Sequence, residues 1–192
     1  HSAGHKYGNG DTMSDYYANA ITRVVADKIH GRRNSHGGRY GLELHSARAF
    51  IIQGEKTAAT PDGRRAGEEI SKNASPTPGA DRKGITALIK SATTIDATLP
   101  NVGCCLDAML HPSAVQGEDG LEAFYSLLET YMQKGGASIH FNVFSADLLR
   151  DAQVHPEKYE NLQVRVCGWN VRFTDLTPEA QETFIREAEA VA

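Results

Sequence analysis

No run in this chain approaches the ~20 consecutive apolar residues that a membrane-spanning helix requires, and the opening HSAGHKYGNG has no basic stretch followed by a hydrophobic core. Neither a membrane segment nor a secretory leader is expected, and a cytoplasmic protein is. Cysteine is scarce. There are three in 192 residues, Cys104 and Cys105 adjacent and Cys167 far away, which excludes a disulfide framework and fits a reducing compartment. Basic runs are missing as well: no more than two Lys or Arg stand together and the net charge is −4, so the chain has no electrostatic footprint for nucleic acid. The histidines show no His-Glu-x-x-His spacing and the cysteines no Cys-x-x-Cys spacing, so no metal site is expected. A Gly-x-Ser-x-Gly elbow, a P-loop, a dinucleotide fingerprint and internal repeats are all absent.

What remains is an ordinary globular composition, 40% hydrophobic and 23% charged, at the length of one large domain or two small ones. The spacing predicts a helix within 11–30, with Asp11 or Ser14 as its cap and Gly31 as its stop. A Gly-rich loop follows, and LELHSARAF reads as a strand that sends Glu43 and His45 to one side, Leu42 and Leu44 to the other. Residues 53–85 are crowded with Gly, Pro, Asp and Asn, and so form either a functional loop wrapped over a neighbour or a linker. Helices are expected over 85–93, 118–134 and 146–153, and a last one opens at Thr177-Pro178-Glu179 with Ala180, Phe184, Ala188 and Val191 as its buried stripe. ASIHFNVF alternates with period two and LQVRV is a further strand. The chain opens at His1 in a segment that already reads as structured, so a piece of a longer protein is expected.

Two features invite chemistry. The vicinal pair Cys104-Cys105 suggests a nucleophile or redox centre, but the simpler reading is two small hydrophobes, one buried, in a loop after Pro100. His140 on its strand and His155 before Pro156 read as packing or capping residues. In LQVRVCGWNVRF a glycine, Gly168, interrupts a strand pattern, which calls for a tight turn at the following Trp169-Asn170 or for a special backbone role.

Taken together, RVCGWNVRF, FNVFSADLLRDAQVHPEKYENLQVRV, TPDGRRAGEEIS and GITALIKS resemble the C-terminal part of glycyl radical enzymes, the pyruvate formate-lyase-like superfamily, with HKYGNG and HGG as further echoes. The resemblance implies an α/β fold: the C-terminal portion of a ten-stranded α/β barrel over 1–110, then a glycyl radical domain over 111–192. It implies that Gly168 is the radical site, with Arg165, Cys167 and Trp169 as neighbours in the radical loop. A radical left on an α-carbon spreads over the flanking amide groups and needs a planar centre, which a β-carbon would crowd.

The same resemblance implies a radical-generating activating enzyme that carries the iron–sulfur cluster and uses S-adenosylmethionine, a catalytic cysteine on an upstream loop, and a small-molecule substrate processed by elimination, C–C cleavage or acyl transfer, as in dehydratases and formate acetyltransferase. That loop lies upstream of every segment matched here, so the chain alone is expected to be inactive without the remaining N-terminal part of the enzyme. A homodimer of the complete protein is expected, and Glu43 or His45 is expected to face substrate. Two departures mark a subgroup: Trp169 stands where tyrosine is usual, and Cys167 where a small residue is. The alternative is an autonomous glycyl radical repair subunit that restores a damaged partner enzyme.

Overall fold

The segment with the least alternation, GCCLDAML, forms the centre of the sheet. In the computed structural model, which describes residues 4–166 and 168–191, β2 (Gly103–Leu110) lies between β1 (Glu43–Leu44) and β3 (Ser138–Val143) in a parallel sheet of order β1-β2-β3. This corrects the expectation of a loop after Pro100. A parallel strand covered on both faces carries a near-continuous apolar run, so it lacks the period-two signal that exposes half-buried strands. Helix α4 (Gly117–Gln133) makes the crossover that parallel neighbours require.

The register places Leu106 beside Ile139, Asp107 beside His140, Ala108 beside Phe141 and Met109 beside Asn142. One face of the sheet is therefore apolar. Leu106 and Ala108 pack there with Leu88, Ile89 and Ala92 of α3 (Ile85–Ala92) and with Tyr131, while Ile139 and Phe141 close the layer. The opposite face carries Cys105, Asp107 and Met109, and from β3 His140 and Asn142. Met109 joins a second core built from α5 (Ala146–Val154), α6 (Pro178–Ala190) and the antiparallel hairpin β4 (Gln163–Val166) and β5 (Trp169–Arg172). Leu149, Val164, Phe173 and Ile185 are its largest fully buried members, each worth roughly 1.5–3 kcal/mol of apolar transfer.

Helix α1 (Thr12–Ile29) starts where expected, with Asp11 accepting from the backbone of Met13 at 3.1 Å and Ser14 at 3.0 Å. The expected strand LELHSARAF is only Glu43–Leu44 long. Ala47 takes φ 43° and turns the chain out of the sheet, after which α2 (Ala49–Glu55) forms and buries Phe50. The last helix is as expected: Thr177 caps Ala180, Pro178 is the first helical residue, Ala180, Phe184 and Ala188 are buried, and Val191 is partly so.

The Gly/Pro-rich segment is no linker. Glu69 accepts from Arg186 at 2.5 Å and from Thr183 at 2.7 Å, and Lys72 reaches Glu187 at 2.6 Å, so it is stapled along α6. Its own turn is held by the buried Arg64 guanidinium, which donates to the carbonyls of Thr57, Ala58, Arg65 and Glu68. Burying a guanidinium is tolerable only when its donors are met in this way.

Candidate functional site

The hairpin β4–β5 carries Gly168, and its register explains the interrupted strand pattern. Val166 pairs with Trp169, so the chain reverses between them at Gly168; Cys167 lies outside the described residues. The turn therefore precedes Trp169-Asn170, which the sequence pattern placed in the turn and which belong to β5 instead. Gly168 sits at φ +100°, where side-chain-bearing residues are strained. Crowding is not the reason for glycine: the nearest atom to an added β-carbon would be His140 Cε1, at 3.9 Å.

What holds the hairpin on the sheet is Asn142. Its Oδ1 accepts from the backbone N–H of Arg165 at 2.8 Å and its Nδ2 donates to the Arg165 carbonyl at 3.0 Å. A side chain thus supplies both hydrogen bonds that a neighbouring strand would supply, and it is only 4% exposed. The Arg165 side chain turns along the hairpin and donates to Asn170 Oδ1 at 3.1 Å. Trp169 stays 54% exposed, at the mouth of a cavity of about 420 Å³ that Arg48, Phe50, Lys72, Asp107 and Arg165 also line.

Beneath Gly168 three chemically active side chains converge. Cys105 Sγ is 3.1 Å from His140 Nδ1, and the same nitrogen is 3.3 Å from Asp107 Oδ1. Asp107 is buried, and its other oxygen, Oδ2, accepts from Asn73 Nδ2 at 2.5 Å. The adjacent cysteines thus part company: Cys105 faces this cluster, while burial pushes the Cys104 thiol above its ordinary pKa. A further buried set lies behind the cavity. Glu187 is pushed above its ordinary pKa by burial, which outweighs the pull of Lys72, and Asp81 is raised by burial as well.

Of the residues singled out from the sequence, Arg165, Gly168 and Trp169 share the hairpin. Glu43 and His45 are exposed, and neither lines the cavity beside it; the Glu43 carboxylate instead lies over the start of β2, 3.1 Å from where a β-carbon would stand on Gly103. Sequence reasoning missed Asp107 and Asn142 and left His140 as a packing or capping residue. A signal for the first was present, since Asp107 is the one charged residue in the run GCCLDAML. No spacing motif could show the cluster, because Cys105 and Asp107 of β2 meet His140 of β3 only when the fold sets the two strands side by side.

The glycine radical family model matches residues 70–174. Among curated proteins, the chain is 35% identical over 184 residues to trans-4-hydroxy-L-proline dehydratase of Clostridioides difficile, a match covering 96% of this chain and 23% of that protein. It is 36% identical over 185 residues to the 4-hydroxyphenylacetate decarboxylase glycyl radical subunit of Clostridium scatologenes, covering 96% and 20%. Among solved structures, the B12-independent glycerol dehydratase from Clostridium butyricum superposes with a TM-score of 0.89 at 32% identity, over 94% of this chain and 23% of that one. The chain spans between a fifth and a quarter of the length of these relatives.

Proposed function

The chain belongs to the glycyl radical enzyme family, of whose α/β barrel it matches the C-terminal portion, and on that premise we propose that Gly168 stores the radical for an anaerobic lyase or acyltransferase acting on a small molecule. The observation that carries this reading is the glycine at φ +100° in a hairpin whose backbone is clamped by Asn142, within the residues that the family model matches. Transfer of one hydrogen atom from the Gly168 α-carbon to the carbon radical that the activating enzyme makes from S-adenosylmethionine leaves an unpaired electron that the two flanking amides share. A cysteine thiol supplied upstream then returns a hydrogen atom to that carbon and becomes the thiyl radical that attacks substrate. In this proposal the barrel portion is 1–110 and the radical domain 111–192.

Three features support a larger assembly around this chain. Gly168 is exposed, although a stored radical needs a dry, closed surrounding. Among the described residues no strand pairs with the outer edge of β1, where a preceding barrel strand would pair. Helix α1 turns Met13, Tyr16, Ile21 and Val24 outward, an apolar stripe that water does not favour. The proposed partners are the remaining N-terminal part of the enzyme, a radical-generating activating enzyme that uses S-adenosylmethionine and an iron–sulfur cluster, and a second copy of the complete protein. In that barrel, on its edge strand β1 and just beyond it, Glu43 and His45 are the proposed substrate-facing residues. The matches extend across most of the chain into much longer enzymes, which supports this reading over a stand-alone repair subunit. No helix among the described residues is long and apolar enough to cross a membrane, and the proposed compartment is the cytoplasm.

The test is an anaerobic electron paramagnetic resonance spectrum of the complete natural protein after incubation with activating enzyme and S-adenosylmethionine. The expected result is a glycyl doublet that Gly168→Ala abolishes. No doublet from the wild-type protein, with an activator proven on another substrate protein, returns Gly168 to an ordinary turn.

A further inference from the structure

We propose that Cys105, Asp107 and His140 form a binding site for a divalent cation of the zinc class. The three residues lie on one face of two paired strands: Asp107 and His140 are register partners and Cys105 is two residues before Asp107. Their donor atoms all fall within 4.8 Å of one another, with Sγ to Nδ1 at 3.1 Å and Nδ1 to Oδ1 at 3.3 Å. A tetrahedral ion with nitrogen and oxygen ligands near 2.0–2.1 Å and sulfur near 2.3 Å spaces its donors roughly 3.3–3.6 Å apart. The Nδ1–Oδ1 distance matches that geometry, and the Sγ–Nδ1 distance has to open by roughly 0.4 Å to admit the ion.

Hydrogen bonding alone accounts for it poorly. His140 Nδ1 carries either one proton or one lone pair, so with a lone pair it accepts from the Cys105 thiol and leaves Asp107 Oδ1 without a donor, and with a proton it has only one N–H to share between Asp107 Oδ1 and the weakly accepting Cys105 sulfur. Asp107 is 8% exposed, and its Oδ1, the oxygen aimed at the cluster, has no hydrogen-bond partner among the described residues. A buried carboxylate oxygen whose one polar neighbour, His140 Nδ1 at 3.3 Å, makes no well-aimed hydrogen bond to it is costly. A cation removes the conflict, because it takes lone pairs from all three atoms; the thiol proton is released to solvent as the sulfur binds.

The outer partners suit this assignment. Asn73 Nδ2 holds Asp107 Oδ2, Asp107 N donates to Ser75 Oγ at 2.8 Å, and Asn73 Oδ1 accepts from the backbone of Ser46 at 2.9 Å, which together aim Oδ1 at the site. One sulfur, one nitrogen and one oxygen favour zinc, cobalt or ferrous iron over magnesium or calcium. Asp107 also lines the cavity beside the hairpin, which offers an entry path and an open fourth position. Lys72 lines the same cavity and is held by Glu187 at 2.6 Å. Because His140 Cε1 lies under Gly168, an ion on Nδ1 locks the ring against which the hairpin tip rests.

The assignment does not depend on Gly168 holding a radical, and its test reads metal alone. The complete protein, stripped with chelator under anaerobic conditions, is titrated with Co²⁺. One equivalent is expected to bind with a sulfur-to-cobalt charge-transfer band that disappears in Cys105→Ser and survives in Cys104→Ser. His140→Ala and Asn73→Ala are expected to weaken binding by about 10–100-fold. An identical band and affinity in wild type and Cys105→Ser overturns the proposal, as does the absence of cobalt binding. X-ray absorption of the zinc-loaded wild type guards against variants that fail to fold: a shell with one sulfur and nitrogen or oxygen neighbours supports the site, and a sulfur-free shell overturns it.

Discussion

The side-chain amide of Asn142 pairs with both backbone polar groups of Arg165, at 2.8 and 3.0 Å, and so makes β3 and β4 behave as neighbours although they belong to different sheets. Asn142→Ala removes both bonds from a buried position, and the expected cost is about 2–3 kcal/mol. Hydrogen exchange should locate the loss in the hairpin, with faster exchange at Arg165 and little change in α3. Unaltered protection at Arg165 would show that the hairpin is held by its apolar face alone.

Gly168→Ala places a methyl group at φ +100°, for which the expected penalty is about 1–2 kcal/mol of backbone strain. No clash adds to it, since the nearest neighbour would be 3.9 Å away. The variant should therefore fold, with a slightly lower unfolding midpoint, and a missing radical signal would report chemistry rather than collapse. A midpoint unchanged from wild type would contradict the strained turn.

Glu187 and Asp81 are both raised above their ordinary pKa values, chiefly by burial. A carboxyl raised on folding takes up a proton, so its stabilising contribution is complete below the unfolded value, ~4, and is lost as the pH rises through the folded value. Glu187→Gln holds the neutral form at every pH and should gain on wild type as the pH rises from 5 to 8. Comparing exchange protection of α6 amides in the two proteins at each pH measures this. A constant difference would mean that Lys72 offsets the burial in full.

Burial raises the Cys104 thiol, and a thiol reacts as its thiolate. Alkylation of Cys104 by iodoacetamide is expected to run slower than that of a free cysteine at pH 7.5 and to climb steeply above pH 9. Peptide mapping by mass spectrometry gives the rate; a fast reaction at neutral pH would restore Cys104 as a candidate nucleophile.

The local features legible in the chain are those set by near neighbours. Asp11 and Thr177 announce helix starts because a cap bonds amides two or three residues on. Period two in ASIHFNVF separates Ile139 and Phe141 from His140 and Asn142, and the structure places those pairs on opposite faces. The family was readable for a related reason, since the resemblance rests on contiguous segments such as RVCGWNVRF.

Tertiary structure decided the rest. Strand β2 hides in an apolar run, because burial on both faces erases alternation, and only its pairing with β3 identifies it. The long Gly/Pro-rich segment became a strap on α6 through Glu69 and Lys72, whose partners lie more than a hundred residues away. Cys105, Asp107 and His140 meet for the same reason. Two lie on one strand and one on the next, across a whole crossover helix, and strand register, not spacing along the chain, brings their donor atoms together.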